Sequence, residues 1–252
     1  MDEIVRRAVE RAIWTMTEKL GEQLTIDDMA RSAMFSKFHF SRVFQHATGV
    51  SPGRFLSAMR LAEAKRLLLS TKISVADISH RVGYNSVGTF STRFSSRVGV
   101  SPTAYRQFRG LVPGISTSSP QSRSTLSTVV RGRVHAPDGD VGPVFVGLFP
   151  SRIPEGRPVR YTVLEAPGAY VLPDVPEGSW HLLAHCANTD AAGLGGGWDH
   201  PRYVGCEGPL VVQPSVVARL VDIGLRPVRA FDPPVLLALP DPRGGSARLL
   251  AG

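Results

Sequence analysis

An all-α domain built on two equivalent helix-turn-helix units, followed by an all-β sandwich domain, is the fold class this 252-residue sequence predicts. Three observations carry that prediction. The tetrapeptide GVSP occurs at Gly49–Pro52 and again at Gly99–Pro102. It sits inside a longer repeat: at an offset of 50, Ser36/Ser86, Phe40/Phe90, Ser41/Ser91 and Phe44/Phe94 also match. A self-similar segment of that length is usually one supersecondary unit used twice. Residues 110–126, GLVPGISTSSPQSRSTL, have the Ser, Thr, Pro and Gly composition of a linker and no amphipathic period. Beyond them, short runs rich in Val, Leu and Tyr alternate with Pro/Gly turns, as in VVRGRVHAPDGD, GPVFVGLF and GAYVLP, which is a strand pattern. The expected division is therefore an all-α domain over 1–110, a linker over 111–126, a β domain over 127–240 and a loose tail over 241–252.

Within the first domain the elements follow in order. LTIDDMARSA (24–33) reads as a helix capped by Thr25, with Ile26, Met29, Ala30 and Ala33 toward a core. A short turn, MFS, leads to a second helix whose core stripe is Phe40, Val43, Phe44 and Ala47. Gly49 then takes the left-handed conformation that ends a helix, Ser51 caps the next one and Pro52 suits its first turn. The next helix, SPGRFLSAMRLAEAKRLLLST (51–71), presents Phe55, Met59 and Ala62 on one stripe, thickened by Leu61, Ala64 and Leu68. ISVADISHRV (73–82), capped by Ser74, repeats the first short helix, and GYNS leads to a last long helix with Phe90, Phe94 and Val98 inward. Gly99, Ser101 and Pro102 supply the second stop and start.

Helix, tight turn, helix is the plan whose second helix can enter the DNA major groove. Opposite the first core stripe lie Phe38, Ser41, Arg42 and Gln45, with Lys37 beside them. Phe can touch a thymine methyl and Arg can bond guanine O6 and N7 bidentately. In the second copy Gly88, Ser91, Thr92 and Ser95 face outward, flanked by Val87, Arg93 and Arg97. The charge agrees: residues 1–110 hold 17 Lys and Arg against 9 Asp and Glu, whereas residues 111–252 hold 12 of each. A basic domain beside a neutral one means that only the first meets a polyanion. Between the two units, a helix of about 19 residues spans roughly 28 Å, near the roughly 34 Å between successive major grooves on one side of a duplex.

These residues resemble the AraC/XylS-type DNA-binding domain of transcription regulators. The resemblance runs from about Ile4 to Arg109 and includes MRLAEAKRLLLSTKISVADISHRVGYNSVGTFSTRFSSRVGVSPTAYR. Its carriers are Arg60–Leu61, Ala64 and Leu67–Leu68, then Ile78, Gly83–Tyr84, Ser86, Phe90, Phe94, Gly99, Ser101–Pro102 and Tyr105–Arg106. The resemblance implies double-stranded DNA as a partner, contact with RNA polymerase, and base contacts from Phe38, Ser41 and Arg42, then Val87, Gly88, Ser91 and Thr92. Two departures stand out. The second set lacks the longer polar or basic groups often found there, which points to a phosphate-gripping role. The domain also comes first in this chain, whereas many members carry it last.

In the β domain, strands are expected near 128–135, 143–149, 158–164, 168–173, 179–187, 208–213 and 217–225. The G-x-V start, the PG-x-Y hairpin, and P-x-G followed by inward Trp180, Leu182 and Ala184 make this region similar to carboxypeptidase regulatory-domain or transthyretin-like sandwiches. Its expected roles are homodimer formation or response to a small-molecule effector. His181 and His185 are expected on one outward strand face, with Asp199, His200 and Cys206 farther along. Without a C-x2-C pair these residues predict no metal, and no cofactor is expected. GLGGG is not a phosphate loop, because no Lys-Ser/Thr and no helix follow it.

Other function classes fit the same residues less well. A DNA-repair alkyltransferase needs a Cys in a Pro-Cys-His-Arg setting, whereas Cys186 sits in His-Cys-Ala and Cys206 in Gly-Cys-Glu, so no enzyme is expected. A structural DNA-binding protein would bind without sequence preference, and Arg42 beside Phe38 favours specificity. Two cysteines, a charged N-terminus and no run of 18 apolar residues predict a cytoplasmic protein away from membranes.

Overall fold

The repeat is visible in the backbone of the computed structural model, which describes residues 2–112, 128–137, 141–187, 198, 201–213 and 217–239. Most of the predicted linker, the loop around His200 and the tail over 241–252 lie outside the described residues. The chain folds into two units, one made of Met1–Gly110 together with Arg229–Leu236, the other of the remainder.

The first unit is helical: α1 (Glu3–Glu18), α2 (Ile26–Ser32), α3 (Lys37–Thr48), α4 (Pro52–Ser70), α5 (Val75–Arg81), α6 (Val87–Val98) and α7 (Pro102–Gln107). Local chemistry sets most of the ends. Thr25 and Asp28 form a reciprocal capping box at the start of α2, and the Ser74 hydroxyl accepts from the Asp77 amide at the start of α5. Gly49 and Gly99 end α3 and α6 with φ of 78° and 98°, a region where a Cβ is costly. Pro52 and Pro102 then open α4 and α7. The two copies differ at their serine caps: Ser86 and Ser101 accept from the Thr89 and Ala104 amides, whereas Ser36 and Ser51 make no side-chain cap bond.

Packing repeats with the sequence. Phe40, Phe44 and Phe55 form one aromatic chain, and Phe90, Phe94 and Tyr105 form its counterpart at the same offset of 50. Neighbouring ring centroids lie 5.4 to 5.6 Å apart in tilted or edge-on arrangements. The α6 stripe is the predicted Phe90, Phe94 and Val98. In α3 the buried set is Phe40, Phe44 and Thr48, with Val43 and Ala47 half-buried. The α4 stripe is a correction: Phe55, Leu56, Ala58, Leu61, Ala64, Lys65, Leu67 and Leu68 are buried, while Met59 and Ala62 are half-buried. The reason is that α4 packs against α3, α5 and α7, so no single stripe describes its surroundings.

Lys65 is 2% exposed. A buried ammonium needs partners, and Lys65 Nζ donates to the Val235 carbonyl at 3.1 Å and lies 5.7 Å from the Tyr105 ring centroid. This bond ties Arg229–Leu236, which the sequence assigns to the β domain, to the helices with which it groups.

The second unit contains two sheets. One runs β4 (Ala169–Val175), β1 (Thr128–His135), β7 (Ala218–Leu220), with β8 (Ile223–Gly224) also on β1. The other runs β3 (Tyr161–Leu164), β2 (Val144–Phe149), β5 (Gly178–Cys186), β6 (Tyr203–Val212), β9 (Arg226–Pro227). Strand β1 is antiparallel to β4 and parallel to β7 and β8. One apolar cluster draws Val130, Val134, Tyr170 and Leu172 from the first sheet and Val144, Val146, Leu148, Leu182 and Ala184 from the second. The single strand expected over 217–225 is broken, because Asp222 turns its carboxylate back to accept the Arg133 amide at 2.8 Å. The strand expected from 208 begins at Tyr203.

Candidate nucleic-acid interface

Turns between paired helices set which side chains reach solvent. The turn between α2 and α3 holds Met34 at φ 60°, and the Phe35 amide returns to the Ala30 carbonyl. That geometry starts α3 with Phe40 and Phe44 inward, so the side chains at Phe38, Arg42 and Gln45 emerge on the opposite face. Phe38 is 88% exposed, and the 80% exposed Met34 lies four residues before it. Arg42 and Gln45 are exposed beside it. Ser41 is half-buried, and its hydroxyl donates to the Lys37 carbonyl at 2.8 Å. Lys37 is exposed and ion-paired with Asp27 at 3.2 Å.

The second face is shallower. Gly88, Thr92, Arg93 and Arg97 are exposed on α6, and Val87 and Ser91 are half-buried. The structure places the predicted α3 residues on one face; on α6 it places Val87, Gly88, Ser91 and Thr92 on one face, and Arg93 and Arg97 on the opposite flank of the Phe90–Phe94 stripe. It also adds two that the helical spacing does not single out. Met34 is 80% exposed in the turn leading to α3, and the exposed His39 stacks on Phe35 with centroids 4.6 Å apart. Met34 carries no periodic signal because it lies in the turn before α3, and His39 falls outside the stripe of Phe38, Arg42 and Gln45.

Part of the basic excess bonds the chain's own backbone. Arg11 donates to the Ser32 and Ala33 carbonyls at the end of α2. Arg60 donates to Leu20 and Glu22, and Arg106 to Leu68 and Ile73. Arg60 and Arg106 are equivalent staples, because each reaches from the helix after a pair to the turn before that pair. Arg42, Arg93, Arg97 and Arg109 remain at the surface.

The metal candidates behave differently from expectation. His181 and His185 do share a face of β5, but that face is covered by Phe145, Phe149, Leu183, Trp198, Leu237 and Leu239. His185 is fully buried, 5.1 Å from the Phe145 ring and edge-on to Trp198 at 5.6 Å. Burial and the nearby Arg152 guanidinium lower the His181 pKa, which disfavours its charged form. Cys206 accepts from Arg152 Nε at 3.4 Å, and Cys186 points into the cluster between the sheets. His200 lies outside the described residues, among which no group of three or more His, Cys, Asp or Glu residues could hold a metal ion. Among the same residues, no helix is long and apolar enough to cross a membrane.

Comparison with known proteins bears on the helical unit. A helix-turn-helix domain family matches residues 29–107. The chain is 32% identical over 97 residues to the HTH-type transcriptional activator AarP of Providencia stuartii, covering 38% of this chain and 71% of that protein. It is 29% identical over 104 residues to the lactose operon transcription activator of Staphylococcus xylosus, covering 41% of this chain but 37% of that protein. Among solved structures it is similar to a transcriptional regulator with an AraC-type DNA-binding domain from Chromobacterium violaceum, at 27% identity and a TM-score of 0.40. That match covers 43% of this chain and 96% of the other.

Proposed function

This chain belongs to the AraC-type helix-turn-helix family of transcriptional regulators, and from that premise we propose that it reads two adjacent major-groove segments of duplex DNA, one with each helix pair. The carrying observation is the exposed Phe38 and Arg42 on α3, repeated at equivalent positions by the small exposed face of α6. Phe38 meets a thymine methyl, Arg42 a guanine edge and Gln45 an adjacent base. Gly88 and Thr92 let α6 approach closely, and Arg93 and Arg97 grip phosphate. The reading module is residues 1–110 completed by Arg229–Leu236, since the Val235 carbonyl accepts from buried Lys65.

Arg42→Ala is expected to cost about 1–3 kcal/mol on the preferred site and to relax one base position. Ser91→Ala should cost less, because a half-buried hydroxyl makes at most one contact. Selection of bound fragments from genomic DNA, followed by titration of both variants, measures this. Equal weakening of Arg42→Ala on all sequences would make Arg42 a phosphate contact and would favour a structural DNA-binding protein.

The two sheets are read as the faces of one sandwich, supported by their shared apolar cluster. Its similarity to carboxypeptidase regulatory-domain or transthyretin-like folds rests on turn motifs alone. The neutral β module is assigned to pairing two chains or to answering a small-molecule effector, and contact with RNA polymerase follows from the family. Sedimentation of the full chain is expected to show a dimer. A monomer whose DNA affinity no ligand alters would remove both roles from the β module.

A further inference from the structure

The turn before the first helix pair and the turn inside the second meet at Arg60. Arg60 lies midway along α4 and is half-buried. Its Nε donates to the Leu20 carbonyl at 3.0 Å and its Nη2 to the Glu22 carbonyl at 2.6 Å, both in the turn leading into α2. The other face of the guanidinium lies against Gly83, in the turn between α5 and α6. A Cβ built at Gly83 would fall 2.8 Å from Arg60 Nη2 and 2.9 Å from the Leu20 carbonyl oxygen. One at Gly21 would fall 2.5 Å from the Arg81 carbonyl oxygen. No side chain separates the two backbones here. Beside this contact Gln23 Nε2 donates to Asn85 Oδ1 at 3.0 Å.

We propose that Arg60, assisted by Gln23, is a positioning lock that holds α6 at one offset from α3, so that the protein accepts its two DNA segments at a single spacing. A helix joining two modules at its ends leaves their mutual angle to the bending and twisting of its terminal turns. A guanidinium bonded to one module's lead-in turn and pressed on the other's inner turn removes that freedom. Gly83 has φ of +82°, so the close approach and the backbone conformation require glycine together. Arg106 differs: it donates to Leu68 and Ile73, both leading into its own pair. The bridge between the two pairs therefore distinguishes Arg60 from its equivalent staple. This inference rests on the two-segment reading proposed above.

The test uses the full chain and duplexes carrying the preferred site with zero or one base pair inserted between its two segments. One inserted pair turns the second segment by about a tenth of a helical turn. For the natural protein the insertion is expected to weaken binding at least about tenfold, within the range of a lost base contact. In Arg60→Met the affinity at natural spacing should fall, and the penalty for the insertion should shrink to about threefold or less. Gln23→Ala removes the bonds to Asn85 Oδ1 and the Gly83 carbonyl, keeps the Arg60 staple, and should show an intermediate penalty. A loss of stability alone would lower the folded fraction equally on both duplexes and leave their ratio unchanged. A full tenfold penalty in both variants overturns the lock while keeping the two-segment reading. No penalty in the natural protein overturns the two-segment reading itself. If Arg60→Met does not fold, the ratio for Gln23→Ala decides: a full penalty there overturns the lock.

Discussion

Raising monovalent salt from about 50 to about 200 mM is expected to weaken binding of the full chain to its preferred duplex by roughly a thousandfold. Each phosphate neutralised by Lys or Arg releases condensed counterions, and a logarithmic slope near six phosphates gives that factor over a fourfold change in salt. The whole net charge of +8 resides in residues 1–110, which makes such a slope attainable. It also sets a ceiling. Arg11, Arg60, Arg106 and Lys65 direct donors to backbone carbonyls, and Lys37 and Arg66 pair with Asp27 and Glu63. A slope approaching the full count of 17 Lys and Arg would contradict these assignments. Binding that ignores salt would contradict phosphate contact altogether. The measurement is a titration of labelled duplex at four or five salt concentrations.

Phe94→Ala is expected to destabilise the helical unit by about 3–5 kcal/mol. Phe94 is fully buried, tilted against Phe90 and edge-on to Tyr105, each at 5.6 Å. Truncation removes its transfer free energy and leaves a cavity that these rings cannot fill without moving. Against a typical total of about 5–15 kcal/mol, that loss consumes much of the unit's stability. Denaturant unfolding followed by far-ultraviolet circular dichroism reads the helical signal, with the β unit treated as a separate transition. Phe38→Ala is the control. Its side chain is 88% exposed, so stability should change by less than about 0.5 kcal/mol, while DNA affinity falls. If the two variants exchanged these effects, the inward and outward faces assigned to the repeat would be reversed.

The contrast between Phe94 and Phe38 was legible in the sequence, because each follows from spacing within its own helix. So were the capping of α2 by Thr25 and of α5 by Ser74, and the left-handed Gly49 and Gly99. These are decided within a turn or two of chain. The offset of 50 even located the aromatic chains, since the side chains that meet in one copy recur in the other. Less was legible in the candidate interface. Phe38, Arg42 and Gln45 emerged as predicted, but Ser41 turned its hydroxyl into its own helix and Lys37 met Asp27.

What only the tertiary structure decided involves partners far away in the chain. In LAEAKRLLL, Lys65 reads as a solvated lysine; it is buried because the Val235 carbonyl, 170 residues later, comes to its ammonium. His185 obeys the predicted alternation of β5, yet its face is closed by Trp198, Leu237 and Leu239 rather than open to solvent. Arg60 bonds to residues about 40 positions earlier while pressing on Gly83. Sequence by itself determined where the repeated helices are capped and stopped and which of their side chains turn inward, because backbone geometry repeats every few residues. Which of those faces is covered, and which charge is drawn inside, depended on the three-dimensional arrival of distant segments, which no local period encodes.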